Sequence, residues 1–506
     1  KIAVVLIVLA AVVLHSFSFP RFNLFFTAFF FLIPLVYALD SRKTNRAFLL
    51  FFTFSLFSYL VILYWIPGIM AKYGNMSKIL SILGLILLAA FLSIFTGCAG
   101  VLIKKVLNHR DTISSRLPKI FNLSILLIPF IWVGKDLIIE RILSGFPWCL
   151  SGYSQHNNIY FIQAAEFGGV HLVTFMVIFI NILFYLLLRE RNRRIIAVLV
   201  IVFVTIYTTG YFLYRASESE TAVLPVHKAG IIQPNAFNEF VSGSVIQKKL
   251  NRLFARSREL TKKGAEFVIW PEYTVGILPM QNINHYNQLR GFARANVPLI
   301  AGFNDYFGQD EFYNTAFLFK KDRVEKYYKV HLTPFGEYIP LRKLLFFVEN
   351  ITSEIGDYTP GKSIHNLELN GHTAAIPICY EVIFPELMRD FIAKGSELFV
   401  TISNDSWEGD TAGPRQILAM ALFRCIENRR CMLRSTSTGI SAAVVPTGEL
   451  AYKSQWDKEE AVVVEFKYLS RKTIFTRWGY LFPYFCIIIA AIYSLAVLIL
   501  RKKKSA

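Results

Sequence analysis

The sequence predicts a chain in two parts: a polytopic α-helical membrane domain of eight spans, and an α/β domain inserted ahead of the last span. Three observations predict it. The mean hydropathy of +0.44, with 46 phenylalanines in 506 residues, is too apolar for an ordinary soluble protein. Apolar runs of about 20 residues, the length that crosses a bilayer, fall near 2–19, 24–39, 47–67, 78–101, 121–138, 168–188, 195–213 and 480–500. Basic clusters follow the even-numbered runs.

Those clusters orient the chain. Arg42, Lys43 and Arg46 follow the second run, and Lys104, Lys105, Arg110, Arg116 and Lys119 the fourth. Arg189, Arg191, Arg193 and Arg194 follow the sixth, and the tail from Arg501 to Lys504 the eighth. The alternate loops hold little more than Arg21 and Lys72. Because cytoplasmic loops are the basic ones, both termini are expected in the cytoplasm and the long segment outside it. The expected domains are 1–214 with seven transmembrane helices, 215–479 extracytoplasmic, and 480–506 with the eighth helix and a basic tail. The first run reads as a span and not a cleaved signal peptide, since more hydrophobic runs follow closely.

The net charge of +19 would suit a nucleic-acid binder, but much of it lies in short clusters between apolar runs, so no nucleic-acid partner is expected. A transporter is disfavoured because the runs contain few of the ionisable residues that mark transport paths. The six cysteines show no CxxC pair or regular spacing, although Cys425 and Cys431 could pair in an oxidising compartment. No HExxH, P-loop or GxGxxG pattern is present, so neither metal nor cofactor is expected.

Segment 215–479 is long enough to bury its own core. Short β-rich runs occur at 229–233, 267–270, 298–301, 315–319, 373–378, 398–402, 441–445 and 461–464. Helical patterns intervene at about 243–263 and 414–428. This texture predicts a substantially buried sheet with helices against it. On the same side of the membrane, Phe146, Trp148 and Tyr153 sit among Gly and Pro, which suits an interfacial loop or a plain aromatic belt.

Three polar residues close strands or follow them: Glu272 after Val268-Ile-Trp-Pro, Lys329 in Tyr327-Tyr-Lys-Val-His, and Cys379 after the apolar run from Thr373. Strand ends are where α/β folds place their sites. A thiol nucleophile needs a base, which Glu272 could supply, and its tetrahedral intermediate needs a cation or N–H, which Lys329 and the backbone near Tyr380 could supply. Glu337 could hold Lys329. Each has a plainer alternative: Cys379 a core thiol, Glu272 a cap, Lys329 a surface charge. His331 would be required for a Cys-His protease but has no evident orienting residue, and His372 is equally unanchored.

With these residues the chain resembles the nitrilase (carbon–nitrogen hydrolase) superfamily, and within it the bacterial apolipoprotein N-acyltransferases. The resemblance rests on Trp270-Pro-Glu272, Lys329-Val-His-Leu-Thr-Pro-Phe-Gly-Glu337, Cys379-Tyr-Glu381, Ser403-Asn-Asp-Ser-Trp407 and the segment from Gly145-Phe-Pro-Trp148 to Gly152-Tyr-Ser-Gln155. It implies a nitrilase-like αββα sandwich for the inserted domain. Glu272 would be the general base, Lys329 the oxyanion stabiliser and Cys379 the nucleophile. Glu337 would be a supporting carboxylate, Tyr380 and Glu381 pocket residues, Trp407 a residue near the entrance, and Trp148 part of the substrate pocket.

The implied enzyme is a monomer of the bacterial inner membrane with its catalytic domain on the periplasmic face. It would move an acyl chain from a membrane phospholipid, through a Cys379 thioester, to the α-amine of a diacylglyceryl-cysteine at an apolipoprotein's N-terminus. A membrane-anchored amidase of the same superfamily, releasing its acyl group to water, is the alternative. Two departures stand out. After Gln233-Pro-Asn235 the family often continues toward a Lys-Trp pair, where this chain reads Ala236-Phe-Asn-Glu-Phe-Val-Ser242, and Ser437 stands where Asn is common.

Overall fold

The computed structural model describes residues 2–40, 46–72, 74, 76–114, 123–235, 243–308, 311–339 and 357–505, with side chains omitted at 109–114, 123–124 and 496–505. Arg42, Lys43, Arg116, Lys119 and the departure at 236–242 lie outside the described residues. The chain divides into two compact units, one of Lys1–Pro67, Ser77–Leu213 and Trp478–Ala506, the other of Gly68–Met76 and Tyr214–Arg477.

The first unit is helical. Helices Ile2–Phe17, Leu32–Asp40, Ala47–Ile62, Lys78–Ser114, Ile128–Arg141, Ala165–Glu190, Arg193–Ala222 and Leu481–Ser505 fall on the eight apolar runs. Among the described residues, three segments are long and apolar enough to cross a membrane: Lys78–Asn108, Phe161–Glu190 and Arg193–Ala222. Ala47–Ile62 with Ile66–Lys72 makes a fourth if the pair, bent by 55°, counts as one. The others fall short for local reasons. The second run is broken between its 3₁₀ turn Phe25–Phe29 and its helix Leu32–Asp40. Buried Asn181 bridges that break, donating to the Ala28 carbonyl at 2.8 Å and accepting from the Leu32 N–H at 2.9 Å, one of the donors a helix start leaves unpaired.

The fifth run is interrupted by charge. Its helix Ile128–Arg141 carries Lys135, Asp136 and Glu140 buried, with Lys135 paired to Asp136 and lying 4.5 Å from the Trp132 ring. His171, fully buried on helix Ala165–Glu190, reaches Glu140 at 3.1 Å, and Tyr480 donates to the same carboxylate. The runs are thus less free of ionisable groups than hydropathy suggests, because the charges neutralise one another inside the unit.

The second unit contains two six-stranded sheets. One has the order β12-β1-β2-β3-β4-β5, from β1 His227–Gln233, β2 Phe267–Ile269, β3 Leu299–Phe307, β4 Glu311–Phe319, β5 Val324–Tyr328 and β12 Glu460–Phe466. The other has the order β11-β10-β9-β8-β7-β6, from β6 Leu367–Leu369, β7 His372–Ala375, β8 Leu398–Ser403, β9 Met432–Thr436, β10 Ala442–Val444 and β11 Leu450–Lys453. Helix Gly243–Lys262 buries Leu250, Leu253, Phe254, Ser257 and Leu260, one stripe at helical spacing, and these join Val268, Trp270 and Phe317 of the first sheet in one core. Trp270 Nε1 finds its partner in Ser257 Oγ at 2.9 Å. Helix Ile283–Ala295 packs into the same core and is capped by Asn282, whose side chain accepts from Asn284 and His285.

A polar rivet joins the sheets. The Gln233 carbonyl oxygen at the end of β1 accepts from Ser441, Thr436 and Ser454 of the second sheet's side, while its amide donates to the Gln455 and Lys458 carbonyls. Ser435 of β9 adds a bond to the Ile232 carbonyl at 2.8 Å. This explains why β9 escapes a sequence search: Arg434, Ser435 and Thr436 are buried polar residues, Arg434 held through Nη2 by Asp405 and Ser403 and the other two bonded to the end of β1, so the strand has no apolar pattern. Cys425 and Cys431, left open as a pair by the sequence, are buried free thiols.

Candidate active site

Cys379 stands at a bend. After β7 the chain stays extended, Ile378 bridges Ile402, and a 3₁₀ turn Cys379–Ile383 begins. Cys379 itself takes φ +50°, a left-handed conformation that costs a non-glycine residue about 1–2 kcal/mol. Glu381 fastens that bend. One of its oxygens accepts from Tyr327 Oη at 2.8 Å and from the N–H groups of Val330 and His331 at 2.8 and 3.0 Å; the other accepts from the Ile378 N–H at 2.8 Å. The resemblance makes Glu381 a pocket residue. It has no exposure, and its two oxygens tie the Lys329 loop to the Cys379 turn.

Glu272 follows β2 where the chain leaves the sheet. It can approach β3 only because residue 302 is glycine, since a Cβ there would lie 2.6 Å from the Glu272 Cα. Its carboxylate accepts from Asn314 Nδ2 at 2.7 Å and from the Asn404 N–H at 2.9 Å. Lys329, just past β5 and 1% exposed, places Nζ 2.8 Å from Glu337, 3.3 Å from Thr333 Oγ1 and 3.9 Å from Glu272. Glu337 in turn accepts from the Thr333 N–H at 2.7 Å. Ser437 donates to the Glu272 carbonyl at 3.3 Å, so this departure from the common Asn sits directly against the candidate base.

The electrostatics are those of a buried charge cluster. Burial works against the Lys329 cation, but Glu337, Glu272 and Cys379 outweigh it and hold the ammonium above its ordinary value. Burial raises the Glu272 carboxyl above the usual range, although Lys329 opposes this and so do Asn314 and the nearby Cys379 thiol. Burial and then the Glu272 charge push the Cys379 thiol well up, with Lys329 opposing. The thiol therefore does not ionise alone. It needs a base that takes its proton as it attacks, and a carboxyl raised toward neutrality is better matched to that task than an ordinary one.

The other expected residues are placed as follows. Tyr380 is buried, with its ring near His331 and Phe384, and Trp407 is 39% exposed in the loop after β8. Trp148 belongs to the helical unit, buried against Trp65 and stacked on Phe146. His331 lies with its ring against Phe384, and His372 pairs with Glu397 and stacks on Tyr468. Among the described residues no group of three or more His, Cys, Asp or Glu could hold a metal ion. A surface recess of about 560 Å³ is lined by Gln247, Asn282, Asn284, His285, Asn287 and Gln288 and contains no candidate residue.

Asn314 of β4 is the residue the sequence missed. Its Nδ2 lies 2.7 Å from both Glu272 and Glu337, joining the two carboxylates around Lys329. A polar residue immediately before the apolar run 315–319 was its only sign. Asn314→Ala should cost about 1–3 kcal/mol, the penalty of unpairing buried acceptors. With a donor to Glu272 gone, the acid limb of the reaction at Cys379 should also move to higher pH. A limb that stays in place would reduce Asn314 to packing.

Residues 11–183 match the family model described as the apolipoprotein N-acyltransferase N-terminal domain, and residues 228–471 match the carbon-nitrogen hydrolase model. The chain belongs to the apolipoprotein N-acyltransferase family. Apolipoprotein N-acyltransferases similar to it include that of Geobacter metallireducens, 28% identical, with 97% of this chain and 94% of the relative covered. That of Aquifex aeolicus is 28% identical over 87% of this chain and 94% of its own. That of Pseudomonas syringae pv. tomato is 29% identical over 76% and 75%. Among solved structures, an amidase from Nesterenkonia sp. is 20% identical at a TM-score of 0.38, covering 48% of this chain and 90% of its own. An apolar helical part thus accompanies the carbon-nitrogen hydrolase part in this chain, and the apolar helices fit an inner-membrane protein.

Proposed function

We propose that the chain is a phospholipid:apolipoprotein N-acyltransferase working through a thioester on Cys379. The observation that carries this is the convergence of Glu272, Lys329 and Cys379, within a chain that pairs an apolipoprotein N-acyltransferase N-terminal domain match with a carbon-nitrogen hydrolase match. In the first half-reaction the Cys379 sulfur attacks a phospholipid ester carbonyl while Glu272 takes the thiol proton. Two of the three N–H groups of Lys329 are directed at Glu337 and Thr333, and the third supports the oxyanion. The C–O bond breaks, the leaving alkoxide takes the proton from Glu272, and a lysophospholipid departs. In the second, the α-amine of a diacylglyceryl-cysteine attacks the thioester, a C–N bond replaces the C–S bond, and the thiol is restored.

The same reading gives the remaining parts their places. The domains are 1–214, 215–479 and 480–506, with eight spans, both termini cytoplasmic and a monomeric enzyme whose αββα sandwich is extracytoplasmic. Glu337 and Glu381 are positioning residues for Lys329 and Cys379, while Tyr380 and Trp407 flank the acyl group. Trp148 offers an aromatic surface to an acyl chain within the helical unit. A membrane setting suits such substrates, because drawing a lipid chain into water costs about 0.8 kcal/mol per CH₂.

The test is direct. Purified protein incubated with phospholipid should gain an acyl mass on the peptide containing Cys379, and a diacylglyceryl-peptide should discharge it as an N-acyl product. Cys379→Ala should carry no adduct and make no product. Full transfer by that variant would end the proposal, and discharge to water alone, with peptide present, would favour the hydrolase reading instead.

A further inference from the structure

Asp405, the middle residue of Ser403-Asn-Asp-Ser-Trp407, takes no part in the half-reactions above, yet it is buried and accepts from three donors. Arg434 of β9 donates from Nη2 at 2.6 Å and Ser403 from Oγ at 2.8 Å, both to Oδ1, while the Ile440 N–H reaches Oδ2 at 3.3 Å. The Nε and Nη1 of Arg434 have no partner among the described residues, so the pair with Asp405 is the ionic anchor of that buried guanidinium. Residue 439 has to be glycine for this packing, since a Cβ there would collide with the Asp405 carboxylate.

Both stretches that Asp405 binds also hold Glu272. In its own loop, the neighbouring Asn404 N–H donates to Glu272 Oε2 at 2.9 Å. In the turn after β9, the Ser437 hydroxyl donates to the Glu272 carbonyl at 3.3 Å, and the Ser437 N–H donates to the Ser403 carbonyl at 3.2 Å. A peptide N–H stays aimed at a carboxylate only where the backbone around it is fixed, and a buried ion pair with further hydrogen bonds fixes it. We infer that Asp405, clamped by Arg434, is a positioning residue for Glu272, holding in place the loop and the turn that grip its carboxylate and its backbone. The inference rests on the proposed reading, in which Glu272 is the base for Cys379. Asp405 and Arg434 act through Glu272 and not on the substrate.

The consequence is a pH signature. A donor to a carboxylate favours its charged form. If the loop relaxes and the Asn404 bond is lost, Glu272 keeps its proton to higher pH and is ready as a base over a narrower range. The titratable groups that bear on Glu272 are Lys329, Glu337, Cys379, Glu408, Tyr273 and Tyr358. All of them are retained in the variants below.

The experiment uses the full-length protein and phospholipid, with adduct formation on Cys379 timed across pH by rapid-quench mass spectrometry. Asp405→Asn combined with Arg434→Met removes both charges together, so no buried charge is left alone to unfold the protein. Gly439→Ala keeps both charges and pushes the carboxylate aside. In each, the acid limb should move up by about one pH unit, the scale of one bond to a charged group. Below the limb the rate should be about tenfold lower than wild type, and on the plateau above it within about threefold, which is the folding control. A limb left in place in either variant, or an equal slowing at every pH, would overturn the role and reduce Asp405 to packing. Failure of the wild type to form the adduct would instead remove the transferase reading, and with it the base whose position is at issue.

Discussion

Glu272→Gln should lower the rate of adduct formation on Cys379 by about 10²–10⁴, the range ascribed to a positioned general base. The substitution keeps the side chain's shape and one acceptor for Asn314 or Asn404, so the effect should not come from collapse of the loop. It is large because burial and Glu272 hold the thiol well up, leaving almost no thiolate to act without a base. The wild-type rate should fall as pH drops through the Glu272 value, which burial places above the ordinary carboxyl range. The variant should lose that limb. Rapid-quench mass spectrometry of the adduct across pH reads both effects, and a loss of less than tenfold would remove Glu272 from the role.

Lys329→Met should show the second large effect, on stability as well as activity. Nζ neutralises two buried carboxylates, and removing one partner of such a cluster costs about 3–5 kcal/mol. In a unit of this size that is a fall in Tm on the order of 10 °C. The sign of the pH dependence follows. Without the cation that opposes its burial, the Glu272 carboxyl stands further above the unfolded value of about 4.3. Stability linked to such groups is present at low pH and lost as pH rises through the folded values. The deficit against wild type should therefore be smallest near pH 5 and larger at pH 8. Lys329→Met with Glu337→Gln should recover much of the stability and none of the adduct. Recovery of activity would show that Lys329 only balances charge.

Legibility in the sequence followed chemistry more closely than architecture. Glu272, Lys329 and Cys379 were visible because each interrupts or ends an apolar strand, where an unexplained polar residue is conspicuous. They meet in the structure although 107 residues separate the first from the last (379 − 272). Asn314 was hidden because a lone amide beside an apolar run resembles a strand end. Strands with apolar runs, such as β2 and β8, were evident, while β9 was not, since its core consists of the buried polar residues Arg434, Ser435 and Thr436. Glu381 was placed in the pocket by its neighbour's chemistry, and only the four donors around it reveal a fastener.

The charges of helix Ile128–Arg141 bear on how the protein is made. Lone in a bilayer, each charged side chain near the centre of a span costs about 2.5–3.5 kcal/mol to insert. Glu140 is answered by His171 and by Tyr480, and a Cβ on Gly134 would lie 3.4 Å from the Ile487 backbone. Two of those three partners, Tyr480 just before the last helix and Ile487 within it, lie on the far side of the second unit's segment Tyr214–Arg477. The ribosome must therefore complete the second unit before the helical unit can close around its own acid. During translation the nascent chain holds an unfinished bundle, in which Glu140 has His171 but not yet Tyr480.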